Sequence, residues 1–343
     1  MKKTIALILA LIMVVSMGVS ALAVNEDIEG KITIYTSMYR FVYEGMKVEL
    51  AKEFPNLEVE FYYAGTGTLI SQIAGEMGDD HTGKLGCDML LVAEPAYSLE
   101  LKDYGYLHQF DLGVKDQLRF PYDEEGYWYP VRVCNMVLAY NPERYTPEEL
   151  PKTFKEFAED PSLKGKISMG NPLTSGTAFA AVSALTSKYG YEYFDALRAN
   201  EVMIESGSTA LAKLETGECK VIMILEESVL QRRKEDGSKL ACIYPEDGNI
   251  LIPSTCMIVA AEKSAHPRQR EACEAVADWL YSEAGQKFIV SGYMHSVLKD
   301  FPEIPYDSIP TEGLIETDMG VDWERTYKER DNINDEWNKR VTQ

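Results

Sequence analysis

Positive charge is scarce in this chain. Its 34 Lys and Arg face 55 Asp and Glu, for a formal charge of −21 over 343 residues. Such a surface repels phosphate backbones and anionic headgroups, so neither nucleic acid nor a membrane face is expected as partner, and a small molecule is. Histidine is scarcer still: His81, His108, His266 and His295 are the only four, and none stands at metal-ligand spacing from a cysteine. No metal and no cofactor are therefore expected. The six cysteines (Cys87, Cys134, Cys219, Cys242, Cys256, Cys273) form no C-x-x-C pair. Those in apolar strand-like runs read as buried thiols, although export leaves one or two bridges open. None precedes Cys87, so a lipid anchor on a cysteine just after an export signal is not expected. Missing too are G-x-S-x-G, H-E-x-x-H, the P-loop and G-x-G-x-x-G, and no histidine falls in a loop suited to a general base. No catalytic residue is expected.

What is present begins with an export signal. Lys2 and Lys3 precede an apolar run over 5–19 broken only by Ser16 and Gly18, and Ala21 and Ala23 suit cleavage before Val24. Residues 1–23 are thus read as a signal peptide, and their loss takes the formal charge from −21 to −23 by removing two lysines. No later run reaches 18 apolar residues, so a soluble, exported mature chain is expected. With 45% apolar side chains it can bury one large or two medium cores.

Two periodicities alternate along it. A strand over 31–35 is followed by Val42, Met46, Leu50 and Phe54 at helical spacing, a strand over 57–63, a helix over 69–77, an apolar strand over 89–92 and a helix through Leu101. A long strand over 131–140 opens a second set: a helix over 148–159, a strand over 166–169, helices over 176–188, 192–199 and 208–215, and a strand over 221–225. Strands over 240–244, 250–252 and 257–260 and a helix opening at Pro267 follow. Repeated β-α-β predicts an α/β chain with mainly parallel sheets flanked by helices. Its functional residues then belong in loops beyond the carboxyl ends of the strands.

Those loops are rich in polar chemistry. Thr66-Gly67-Thr68, Ser175-Gly176-Thr177 and Ser206-Gly207-Ser208 each place two hydroxyls around a glycine at a predicted helix start. Such a start offers free N–H groups and a positive dipole end to an oxyanion, and it is equally the place for a plain N-cap. Ser37 and Tyr39 follow the first strand. Glu94, Glu226 and Glu227 offer acceptors to an ammonium, a sugar hydroxyl or a hard metal ion, or simply complement a helix dipole. A carboxylate pair also invokes glycoside hydrolysis, which needs a fixed separation that consecutive residues do not supply.

The order of Ile34-Tyr35-Thr36-Ser37-Met38, Asp88-Met89-Leu90-Leu91 with Gly105-Tyr106-Leu107, Ala139-Tyr140-Asn141-Pro142, Pro172-Leu173-Thr174-Ser175-Gly176-Thr177-Ala178, Gly217-Glu218, Tyr244-Pro245-Glu246-Asp247-Gly248 and Ser282-Glu283-Ala284-Gly285-Gln286 resembles a known family. It is that of the family 1 extracellular solute-binding proteins of ABC importers, in the branch of ferric-iron, phosphonate and hexose-phosphate binders. The resemblance implies a type II-like two-lobe periplasmic-binding-protein fold, hinged by crossing strands, that closes on its ligand. It implies a permease and an ATPase as partners and a monomer in solution. By it, Ser175, Gly176 and Thr177 match the helix start that holds an anion, and Glu94 matches a carboxylate ligand of the iron binders. Those binders use adjacent tyrosines after the strand over 221–225, where this chain has Glu227-Ser228, and Tyr39 stands where a ligating histidine is expected.

The expected division is 28–130 plus 255–295 for lobe one and 131–254 plus 296–343 for lobe two, with Trp323 and Trp337 packing the tail on lobe two. The expected ligand set is Ser37, Tyr39, Thr66, Gly67, Thr68, Glu94, Ser175, Gly176, Thr177, Ser206, Ser208, Glu226 and Glu227, around a small anionic solute such as a phosphorylated sugar or phosphonate. The alternatives are ferric iron in a non-tyrosinate site, a secreted hydrolase pairing Glu94 with Glu226 or Glu227, and a binding module attached to a sensor.

Overall fold

The computed structural model describes residues 25–342; the predicted signal peptide lies outside them. One continuous ten-stranded sheet runs through the molecule in the order β2-β1-β3-β10-β5-β8-β6-β7, with β4 on β10 and β9 on β5. Its two ends are parallel and its middle is antiparallel. In the first lobe β1 (Glu29–Thr36) lies parallel to β2 (Asn56–Tyr63) and β3 (Met89–Ala93). In the second, β6 (Ile167–Met169) lies parallel to β7 (Met203–Ile204) and β8 (Val221–Leu225).

The crossing pair is β5 (Trp128–Tyr140) and β10 (Ile250–Val259), antiparallel from Trp128 opposite Met257 to Met136 opposite Ile250. Every residue of both strands is buried, as befits strands covered on both faces. The far end of β5 pairs with β8 and with β9 (Ala241–Ile243), while the far end of β10 pairs with β3 and β4 (Leu107–His108). The chain therefore crosses between lobes without leaving the sheet. The sequence predicts two strands over 250–260; the structure makes one, and the interruption at Pro253, which has no N–H for the ladder, becomes a bulge at Ser254/Thr255 instead of a break.

Helices cover the sheet as the periodicity predicts. Helix α1 (Arg40–Glu53) buries Val42, Met46 and Leu50, and α2 (Thr66–Met77) buries Leu69, Ile73 and Met77. Helix α3 (Ala96–Asp103) follows β3. The predicted helix over 148–159 shortens to α4 (Phe154–Glu159) after a capped turn at Pro147–Glu149, because Pro151 and the Thr153 cap start it afresh. Helix α5 (Gly176–Tyr189) is buried on every residue from Gly176 to Thr186, and α6 (Glu192–Ala199), α7 (Gly207–Thr216) and α8 (Glu226–Glu235) complete the second lobe. Helix α9 (Arg270–Tyr281) opens three residues after Pro267 and packs, with α10 (Glu283–Ser291), on the first lobe.

The tail carries α11 (Thr311–Glu316), α12 (Trp323–Lys328) and α13 (Arg330–Trp337). Ser183 and Thr326 hydroxyls meet at 2.7 Å, so the tail covers one face of α5. Trp337 packs edge-on to Phe194 with centroids 5.2 Å apart. From there the tail reaches back to the first lobe, through Tyr327 to Asp103 at 2.9 Å and Arg330 to Glu94 at 2.6 Å. All six cysteines are free thiols.

Candidate functional site

A cavity of about 880 Å³ lies between the lobes, where the carboxyl ends of β1, β3, β6 and β8 face one another. Of the helix starts that meet it, α1 brings Tyr39, α8 brings Glu227 and Ser228, and three others carry the hydroxyl-glycine-hydroxyl triplets. At α5, Ser175 Oγ accepts from Ala178 N–H at 3.3 Å and lies 3.2 Å from Thr177 Oγ1. At α7, Ser206 Oγ accepts from Thr209 N–H at 3.3 Å and lies 3.1 Å from Ser208 Oγ. Both serines are caps, and both line the cavity. Helix α2 begins at Thr66 with no side-chain cap; Thr66 Oγ1 and Ser37 Oγ instead share the Ala93 N–H, at 3.3 and 3.1 Å.

The α2 and α5 starts touch across the lobes. A Cβ on Gly176 would stand 2.7 Å from Thr66 Cβ, and one on Gly67 would stand 2.8 Å from the Leu173 carbonyl oxygen and Thr174 Cα. Glycine is used here for close approach. Gly67 accordingly packs on the opposite backbone and does not line the cavity, and Thr68 is exposed outside it. A second contact between lobes joins Tyr39 Oη to Ser228 Oγ at 2.7 Å.

The three carboxylates part company. Glu227 lines the cavity at 1% exposure, its Oε1 without any hydrogen bond. Burial pushes its carboxyl up to about 7, against the pull of the Arg132 guanidinium. Glu226, the next residue back, is equally buried but faces away: it accepts from His295 Nε2 (3.2 Å), Asn135 Nδ2 (3.1 Å), Tyr244 Oη (2.6 Å) and Ser308 Oγ (2.5 Å). Burial opposes its charge, yet His295 and the hydroxyl donors hold the carboxyl below its ordinary range. Glu94 is also outside the cavity, fully buried against Arg330 with φ +73°. Burial lifts it to about 7 despite that partner. The expected facing of Glu94 and Glu226 toward a solute is thus corrected: partners from the tail and the crossing strand occupy them. With Glu94 tied to Arg330, its pairing with Glu226 or Glu227 for hydrolysis is not assembled. His295 is buried to 1% in the Glu226 network.

Sequence reasoning missed Arg132. It lies on β5 where the chain crosses, lines the cavity at 3% exposure, and donates from Nη1 to Met294 Sδ at 2.6 Å while Nε finds no partner. The available signal was a lone cation inside a long apolar strand.

Residues 100–308 match the family described as bacterial extracellular solute-binding protein. The chain belongs to that family. Among solute-binding proteins of known structure it is similar to iron-bound HitA of Pseudomonas aeruginosa, with TM-score 0.75 and 21% identity over 89% of this chain and 99% of that one. It is similar also to AfuA of Actinobacillus pleuropneumoniae with fructose-6-phosphate bound, with TM-score 0.76 and 19% identity over 91% and 99%. An uncharacterized protein of Haemophilus influenzae is 21% identical over 279 residues, 78% of this chain and 77% of its own. The fold is the two-lobe, type II-like one of periplasmic binding proteins. No helix among the described residues is long and apolar enough to cross a membrane.

Proposed function

We propose that this solute-binding protein is exported by its first 23 residues, captures a small anionic solute between its lobes, and delivers it to the permease and ATPase of an importer. The observation that carries the reading is the convergence of three helix starts and the incompletely bonded Arg132 on one cavity. Free N–H groups, dipole ends and a guanidinium together favour an oxyanion in a chain otherwise short of positive charge. The solute is held by Ser37, Tyr39, Thr66, Ser175, Gly176, Thr177, Ser206, Ser208 and Glu227. The lobes divide as 28–130 plus 255–295 and 131–254 plus 296–343, except that the stretch 297–314 rides on the first lobe, where 297–299 hydrogen-bond to 117–119 and Val297, Leu298 and Leu314 join the core.

HitA's bound iron keeps ferric ion as the second reading. Among the described residues no three His, Cys, Asp or Glu side chains gather as a metal site, which favours the anion. Thermal melts of the full chain with sugar phosphates, phosphonates and ferric ion separate the two. A ligand at a hundred times its Kd adds about 2.7 kcal/mol. A shift with phosphorylated compounds that is lost in Arg132→Met supports the proposal; a shift with ferric ion alone, kept in that variant, overturns it.

A further inference from the structure

We infer that the cavity grips its solute at two poles, Arg132 receiving an oxyanion and Glu227 a hydroxyl of the same molecule, so that the cargo is a hydroxylated oxyacid and not a bare inorganic anion. This rests on the anion reading above and narrows it.

Both side chains are more than nine-tenths buried, both line the same cavity, and each keeps one buried polar atom without a partner, Nε of Arg132 and Oε1 of Glu227. They are opposite charges in one low-dielectric space, yet no ion pair within 4.0 Å joins them. A buried cation and anion left apart and under-bonded are costly. The contrast with the other two carboxylates is informative: Glu226 has four donors and Glu94 has Arg330. Glu94 Oε2 also lacks a partner, but outside the cavity; of the three carboxylates only Glu227 is left open on the cavity side.

What meets Glu227 must bring a hydrogen to donate. A hydroxyl suits it better than an ammonium, because a hydroxyl gives to a carboxylate and accepts from a carboxylic acid, and burial poises this carboxyl near neutrality where both forms occur. An ammonium serves only the ionised form and adds a second cation near Arg132. Size agrees: a cavity of about 880 Å³ matches the space that encloses a molecule well beyond a bare oxyanion. Met136, Met169, Met223 and Ile224 give its carbon skeleton an apolar wall.

Calorimetric titration of the full chain tests this with matched probes: a sugar monophosphate, an alkyl phosphate of equal carbon number, an aminoalkyl phosphonate, and a sugar acid beside its simple carboxylate. The expected result is that one hydroxylated member binds at least about tenfold tighter than its unhydroxylated match, since a site built for a hydroxyl rejects the analogue without it. Glu227→Leu should cut that preference, read as the ratio of the two probes' affinities, to about threefold or less, with the isosteric Glu227→Gln between the two. Unhydroxylated probes binding as well as hydroxylated ones, the aminoalkyl probe binding best, or a preference surviving Glu227→Leu would each overturn the inference while leaving the anion reading intact. If no probe binds, the anion reading falls and this inference with it.

Discussion

Glu226 and Glu227 are consecutive, equally buried, and shifted in opposite directions. The difference is their hydrogen-bond supply, because burial alone raises any carboxyl and only donors or cations lower it. The consequence for stability has a definite sign. In the ligand-free protein Glu227 holds its proton up to about 7, above the unfolded chain's ordinary carboxyl value. The native state therefore binds more protons across that interval, and this residue's contribution to stability declines as pH rises through it. Glu226 acts oppositely: its contribution is present above the ordinary carboxyl range and is lost as pH falls through its lowered native value. We predict that Glu227→Gln stabilises the ligand-free protein more at pH 8 than at pH 5, by a difference on the order of 2 kcal/mol. Urea melts of both proteins at the two pH values measure it, and an equal effect at both would refute it. Comparing variant with parent cancels the general relief of acid repulsion at low pH.

At α2 and α5 the glycines matter less for backbone freedom than for the absence of a side chain between lobes. We predict that Gly67→Ala, whose new methyl meets opposite backbone, weakens solute binding by about ten- to a hundredfold, the equivalent of roughly 1–3 kcal/mol of overpacking. Melting of the ligand-free variant should stay near that of the parent, and small-angle scattering should show a larger radius of gyration in its presence of solute; unchanged affinity would remove the contact from the closing surface. The starts of α5 and α7 were legible in the sequence because capping chemistry is local, as were the stripe of α1 and the fully apolar β3. The joining of β10 through Pro253 was not, because a bulge is set by the strand beside it. Nor were the fates of the acidic residues. Glu94 meets an arginine 236 positions away, and Glu226 meets an asparagine and a histidine at separations of 91 and 69. Arg132 shows the converse: a cation in an apolar strand is visible, but only the crossing of the lobes gives it a cavity to face.

Across the whole molecule, the tail ties the lobes together on ground the crossing strands do not cover. Arg330 lies over the Phe179 ring of the second lobe at 4.7 Å while bonding Glu94 of the first, and Tyr327 adds Asp103. Removing one member of such a buried pair strands the other. We predict that Arg330→Met destabilises the protein by about 3–5 kcal/mol and that adding Glu94→Gln recovers much of it, as denaturant melts of the single and double variants would report. No recovery in the double variant would mean that Arg330 acts through its packing on Phe179. The bulge in β10 bears on how such a molecule moves. Pro253 has no N–H to lose, and the register slips between Ser254 and Thr255, so the crossing pair has fewer ladder bonds to resist bending there than elsewhere along its length. The sheet is stiff on either side of that point and compliant at it, which makes each lobe a lever with a short root and a long tip. A few degrees of bending at the bulge would become ångströms at Tyr39 and Ser228, on the rim of the cleft, and would leave its floor at Arg132, paired with Ser254 beside the bulge, nearly in place.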